Sequence, residues 1–308
     1  MPASARATVP AAMRGPSGAS LRFQRPRGAL DQEQGSENAG EAIMADLETT
    51  IENGIARVVM NRPDARNALS MDMRAMMSET FHELEKDDSV RCVVLEGAGD
   101  HFMAGGDVKN MHEYLKTASG PEIENYFVNR IHNLHPIMFA MRRMPKPIVA
   151  KVRGAAAGAG VSVAAACDLI IAAESSFFTL AYVHIGTTPD GSASFHLPRA
   201  IGIKKTMEMT LLGDRFTSQQ MADHGLVNFV VPDAELDDET DRLATRLANG
   251  PTFVYGQAKK LMYRSQQNEF ESQLQMEGEM FASCASRQDY REGVAAFVEK
   301  RKAKFTGK

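Results

Sequence analysis

Cysteine is scarce in this chain: three residues, Cys92, Cys167 and Cys284, in 308, far apart and without a C-x-x-C pair. An odd, sparse set excludes a disulfide framework and points to a reducing compartment. Cys92 and Cys167 sit in apolar runs and are expected to be buried, inert thiols. No uncharged apolar stretch reaches the ~18–20 residues needed to span a bilayer, so a soluble chain is expected. An excess of basic charge is also missing. The net charge is −4 and the pI about 6.1, which argues against nucleic acid as the main partner. Tryptophan is absent, and the 44% hydrophobic and 24% charged content is that of an ordinary globular protein.

Residues 1–43 are rich in Ala, Arg, Pro, Gly and Ser and lack a periodic apolar face. Up to Leu30 they carry Arg6, Arg14, Arg22, Arg25 and Arg27 and no acid, a composition loosely like a transit peptide. Pro and Gly spoil an amphipathic helix there. The expectation is a dispensable tail, or translated upstream sequence with the natural start at Met44. The protein is then cytoplasmic; it is mitochondrial if the tail is a transit peptide.

From Leu47 strands alternate with helices. Ile55–Met60, Val90–Leu95, Ile148–Val152, Leu169–Ala172 and Phe177–Leu180 read as strands. Ser70 reads as the N-cap of a helix over Met71–Lys86. One long helical region is expected from about Glu122 to Arg143, and an apolar helix from about Val161. This order implies an α/β architecture with much parallel sheet. After Gly202 only helices are expected: Lys204–Leu212, Ser218–His224, Glu235–Ala248, Thr252–Ser265 and Glu269–Ala285.

Two glycine-rich breaks carry the chemistry. His101-Phe-Met-Ala-Gly-Gly-Asp-Val108 and Gly154-Ala-Ala-Ala-Gly-Ala-Gly160 each follow a β-branched strand and precede a helix-compatible segment. Small residues let backbone approach a ligand, and a helix start offers unpaired N–H groups to negative charge. The spacing of the second break, Gly154-x-x-x-Gly158-x-Gly160, is not the G-x-G-x-x-G of a dinucleotide fold. Main-chain stabilisation of a developing oxyanion is the indicated chemistry, with Asp190 the acid expected nearest to it. Taken alone, Pro189-Asp-Gly191 is also an ordinary β-turn signal.

Several further stretches complete a pattern: Asn61-Arg-Pro…Arg66-Asn-Ala-Leu69, Pro145-Lys-Pro-Ile-Val-Ala150, Ala166-Cys-Asp168, Leu197-Pro-Arg-Ala-Ile-Gly202, Gly213-Asp-Arg215 and Tyr290-Arg-Glu-Gly-Val-Ala-Ala-Phe297. In this order, over Leu47 to Lys308, the chain resembles the crotonase (enoyl-CoA hydratase/isomerase) superfamily. Within it, Pro189-Asp-Gly191 and the closing segment from Asp289 are most similar to the phenylacetate-pathway epoxide isomerases and enoyl-CoA isomerases. The resemblance implies a spiral of ββα units over 44–250 and an all-helical C-terminal trimerisation region over 251–308. It implies a homotrimer or a dimer of trimers.

The resemblance also assigns roles. The N–H groups of Gly106 and Ala159 would hold the thioester oxygen, and Asp190 would carry the proton between carbons. Arg66, Ala68, Ala104 and Lys109 match positions around the CoA pantetheine, adenine and phosphates. Phe297 and Lys300 match a helix that caps the adenine of a neighbouring subunit. No metal, and no cofactor beyond the CoA of the substrate, is implied. Where hydratases carry two glutamates, this chain has Ser162 and Tyr182, neither a useful base at neutral pH, so isomerisation of an enoyl- or epoxy-aryl-CoA is the expected reaction. A lyase, or a hydrolase of the aryl-CoA dehalogenase kind, would use the same Asp190. His135 falls where the dehalogenase has its assisting histidine, but Tyr182 replaces that enzyme's tryptophan. A non-catalytic acyl-CoA- or RNA-binding homologue is the reading from another class.

Overall fold

The computed structural model describes residues 45–308; the expectations for residues 1–43 lie outside the described residues. Strands β1 (Leu47–Glu52) and β2 (Ile55–Met60) pair antiparallel. A short 3-10 turn at Pro63–Ala65 then leads to Ser70, whose Oγ accepts from Met73 N at 2.9 Å and starts α1 (Met71–Lys86). Met73, Met77, Phe81 and Leu84 recur at helical spacing and are buried, so this face sets how α1 packs.

Strand β3 (Cys92–Gly97) lies parallel to β2. It begins two residues later than the sequence pattern implies: Arg91 N and Cys92 N both donate to Gly54 O in the β1–β2 turn, and pairing with β2 starts at Cys92 opposite Ile55. Three helices follow: α2 (Val108–Leu115), α3 (Gly120–His132) and α4 (His135–Arg143). The single helix expected over 122–143 is therefore two. Pro136 has no N–H to continue the ladder and its ring would strike the carbonyl four residues back, so it sits at the start of α4 instead.

Strand β4 (Ile148–Val152) joins β3 in parallel, then β5 (Ala155–Ala157) departs to a second sheet before α5 (Ala159–Ala166). The next unit repeats this path: β6 (Leu169–Ala173) pairs with β4, and β7 (Phe177–Thr179) pairs with β5. Each turn of the spiral is thus a strand in the large sheet, a strand in the small sheet, and a helix. Helices α6 (Ala193–Ala200) and α7 (Gly202–Leu212) follow.

The expectation of helices alone after Gly202 is wrong. Strand β8 (Phe216–Thr217) pairs with β7, and after α8 (Ser218–Asp223) strand β9 (Phe229–Val231) adds a parallel edge to β6. Two or three residues are too few to display the period-2 alternation by which a strand is read. The large sheet runs β1-β2-β3-β4-β6-β9 and the small one β5-β7-β8.

The chain closes with α9 (Leu236–Ala248), α10 (Thr252–Ser265), α11 (Phe270–Ala285) and α12 (Gln288–Val298). Helix α10 is tied to the sheet through Asp168, which accepts from Ile148 N at 2.8 Å, from Tyr263 Oη at 3.2 Å, and pairs with Lys259 Nζ at 2.6 Å. Cys92 and Cys167 are buried as expected; burial pushes the Cys92 thiol up to about 12 and raises that of Cys167 as well.

Candidate active site

The first corner follows β3. Phe102 N donates to Arg153 O and Met103 bridges to Ala156, so this segment runs beside β5. The fully buried Asn67 holds the approach: its Nδ2 donates to Ala98 O at 3.0 Å and His101 O at 2.7 Å, and its Oδ1 accepts from Arg62 N at 2.9 Å. Ala104 N donates to Arg66 O and Leu69 N to Gly105 O, which fixes the backbone up to Gly106. Gly106 N–H itself has no acceptor among the described residues.

The second corner follows β5. Gly158 has φ 51 and ψ −120, a conformation that a side chain would make costly, and its N–H donates to Thr179 O at 2.9 Å. That twist turns strand into helix in one residue and leaves Ala159 as the first residue of α5. The N–H of Ala159, like Gly106 N–H, is unpartnered among the described residues. The corners touch: a Cβ on Gly158 would lie 3.6 Å from Gly105 Cα, and one on Gly105 would lie 3.8 Å from Ala159 N.

Against the second corner lies the Pro189-Asp190-Gly191 loop. Tyr182, in a 3-10 turn over Tyr182–Ile185, donates its phenol to Asp190 Oδ1 at 2.5 Å. Its ring carbon Cζ is 3.7 Å from the point where Gly158 would carry Cβ, so the phenol spans from corner to carboxylate. Ser162, on the first turns of α5, donates to the main-chain oxygen of Asp190 at 2.8 Å. Burial, and then the Asp190 charge, raise the Tyr182 phenol above its ordinary value, so it remains a neutral donor. Asp190 Oδ2 accepts no hydrogen bond among the described residues. The arrangement is two free main-chain donors beside one carboxylate with one oxygen anchored and the other available.

The sequence matches the model of enoyl-CoA hydratase/isomerase over residues 50–308. The chain belongs to that family. The 1,2-epoxyphenylacetyl-CoA isomerase of Escherichia coli is 36% identical over 86% of this chain and 100% of its own length. The trans-2-decenoyl-[acyl-carrier-protein] isomerase of Streptococcus mutans is 31% identical over 84% and 97% respectively. Among solved structures, an enoyl-CoA hydratase from Polaromonas sp. JS666 is 32% identical and superposes with a TM-score of 0.79, covering 84% of this chain and 99% of that one. The fold is the crotonase spiral with a helical C-terminal end. Hydratases and isomerases share it, so side chains at the site must separate them.

Within this family chain, the residues foreseen from the sequence divide into two groups. Gly106, Ala159, Ser162, Tyr182 and Asp190 are brought together as described. His135 is not among them: it begins α4 as an exposed residue, with its ring against those of His132 and Phe139. Its neighbour Leu134 is the residue that turns inward, with Cδ2 3.0 Å from the position of a Cβ on Gly191. Arg66 is exposed in a left-handed conformation (φ 51) beside the first corner, and Lys109 is exposed in the first turn of α2. Ala68 and Ala104 are partly buried between them; Ala68 O accepts from Arg62 Nη1 at 2.6 Å. Phe297, 84% exposed, and Lys300 lie at the far end of α12.

Two residues escaped sequence reasoning. Arg74 and Arg130 are each only 2% exposed, and Arg74 Nη1 donates to Arg130 O at 2.6 Å. Burial and the neighbouring Arg130 charge lower the Arg74 guanidinium to about 10, with the Asp190 carboxylate opposing. The available signal was positional: Arg74 directly follows Met73 and precedes Met77 by three on the inward face of α1.

Proposed function

We propose that this chain is an acyl-CoA isomerase that shifts a double bond, or opens an epoxide, in a CoA thioester. The supporting observation is the Tyr182–Asp190–Ser162 arrangement against the two corners. A CoA thioester whose oxygen takes the N–H groups of Gly106 and Ala159 has an acidified α-carbon. As that carbon loses its proton, charge moves onto the oxygen, where donors already fixed in the backbone need no reorganisation. Asp190 Oδ2 takes the proton while Oδ1 stays on the Tyr182 phenol. The same carboxylate then delivers it to another carbon of the dienolate, and the double bond has moved.

The side chains at the two hydratase glutamate positions support isomerisation over hydration. Ser162 is spent on the Asp190 main chain and Tyr182 on its carboxylate, so neither serves water as a base. No cofactor is needed beyond the CoA of the substrate. In this reading Arg66 and Lys109 make charge-assisted contacts to its phosphates, and Ala68 and Ala104 allow close backbone passage. Phe297 and Lys300 reach a neighbouring subunit's adenine in a homotrimer or a dimer of trimers. The apolar surface left open by the last helices, with Phe270 72%, Phe281 66% and Val298 73% exposed, favours such an assembly.

The test is a panel of enoyl-, epoxy-aryl- and halogenated aryl-CoA thioesters in deuterated water, read by mass spectrometry. Isomerisation of a 3-enoyl-CoA with deuterium at the carbon that gains the proton is the expected result. Brisk hydration of crotonyl-CoA, or halide release from the aryl substrate, would displace this reading. Binding of thioesters with no turnover anywhere in the panel would make the chain a binding module.

A further inference from the structure

Arg130 poses an unsolved charge problem. It is 2% exposed, and Nε, Nη1 and Nη2 all lack a hydrogen-bond partner among the described residues. Arg74 beside it is equally buried, and its Nε is unpartnered too. Burying a guanidinium is tolerated when a counter-charge and acceptors replace water. The Asp190 carboxylate acts on Arg74 and already accepts from Tyr182. Among the described residues no carboxylate pairs with Arg130 and no acceptor meets its donors.

The helical spacing of α3 places Arg130 next to the residue that touches the Asp190 loop. Tyr126, Arg130 and Leu134 follow one another at four-residue intervals, on one side of α3 and the turn after it. Leu134 touches the Gly191 position next to Asp190. At the other end Tyr126 stacks on Tyr114 with centroids 3.7 Å apart and donates to Asn110 Oδ1 at 3.2 Å. Arg130 lies between, about one helical turn from the residue that touches the Asp190 loop. A surface cavity of about 470 Å³ reaches Arg74 from the outer side of α1, but Arg130 is not among its lining residues.

We infer that Arg130, backed by Arg74, is an anion-binding position in the acyl pocket, and that the acyl group carried on CoA ends in a carboxylate. This rests on the reading that an acyl-CoA seats its thioester at Gly106 and Ala159. A carboxylate takes two parallel N–H bonds from one guanidinium and brings the missing negative charge. A purely aliphatic or aryl tail supplies neither and would leave the donors buried and unmet.

Binding of non-isomerisable ligands tests this apart from catalysis. Calorimetry would compare saturated mono-CoA thioesters of dicarboxylic acids, over a short series of chain lengths, with their ω-methyl esters and with plain acyl-CoAs of equal length. The free acid is expected to bind about tenfold or more tightly than its ester at the best length, since a charge-assisted pair is being made. Equal affinity within about twofold at every length, or tighter binding of the ester, overturns the proposal. In Arg130→Gln the acid-to-ester ratio should fall toward one, and Arg130→Lys should restore part of it. A ratio unchanged in a folded Arg130→Gln overturns it equally, and if that variant does not fold the wild-type ratio decides. Deuterium exchange into a 3-enoyl-CoA without the carboxylate reports the isomerase reading separately. Exchange without an acid preference removes the anion site alone, whereas an acid preference without exchange removes the isomerase alone.

Discussion

The Tyr182 phenol donates to Asp190 Oδ1 at 2.5 Å, and the ring that carries it rests on the Gly158 corner. One hydrogen bond therefore couples the position of the carboxylate proposed to carry the proton to the corner proposed to hold the oxyanion. Tyr182→Phe keeps the ring and removes the link. A bond to a charged acceptor contributes roughly 1.5–3 kcal/mol, so turnover should fall about ten- to a hundredfold. On the proposed mechanism the loss should appear in kcat, with KM little changed, because there the phenol positions Asp190 and does not hold CoA. Steady-state kinetics of the isomerisation would decide; a KM effect alone would remove the positioning role.

Asp190→Asn provides the complementary case. The amide keeps the shape of the side chain but cannot accept a proton from the α-carbon. Turnover is expected to fall by about a thousandfold or more, while acyl-CoA affinity changes little. Comparable turnover in this variant would transfer the proton to another group.

Gly158→Ala tests the second corner. A Cβ there has room, with nothing nearer than 3.6 Å, so any effect comes from the backbone at φ 51 and ψ −120. Holding alanine in that region costs on the order of 1–3 kcal/mol. The chain relieves the strain by rotating the peptide that carries Ala159 N–H. If Ala159 N–H is an oxyanion donor as proposed, activity should therefore fall by about a hundredfold, the cost of losing one such donor, for a much smaller change in unfolding free energy. Paired chemical-unfolding and kinetic measurements separate the two.

The degree to which such features could be read in advance depended on whether a local rule governed them. Ser70 before an apolar helical stripe placed α1 at its observed bounds, and β4 and α10 followed from a β-branched run and a clean helical period. The two corners were legible because glycine there is forced by backbone shape. The Tyr182–Asp190 bond was not, since it depends on how a 3-10 turn ending at Gly186 folds the seven intervening residues back. Arg74 and Arg130 were invisible for the opposite reason: arginine is read as solvent-facing, and only tertiary packing buries it. Strands β8 and β9 owe their existence to neighbours already in the sheets.

Alkaline pH should expose the phenols. Burial and the Asp190 charge raise the Tyr182 phenol above its ordinary value of 10, and burial and Asp168 act in the same direction on Tyr263. A proton held more tightly in the folded than the unfolded state stabilises fully below the unfolded value and is lost as pH rises beyond it. Stability should therefore be flat in this respect up to pH of about 10 and decline above it. Tyr263→Phe should make that decline shallower in chemical unfolding followed as a function of pH.

Lys259→Met addresses the joint between the sheet and the C-terminal helices. Asp168 is buried, which raises its pKa, and Lys259 at 2.6 Å is the principal group opposing that shift. Two further donors, Ile148 N and Tyr263 Oη, hold the carboxylate in place, so it cannot swing out to water when the lysine is lost. Removing one partner of such a pair strands a buried charge and should cost about 3–5 kcal/mol in urea unfolding. Adding Asp168→Asn on the same background removes the stranded charge while keeping an acceptor for Ile148 N, and should recover most of the loss. A single-variant cost below about 1 kcal/mol would mean that water reaches Asp168 and that α10 is held by its apolar packing instead.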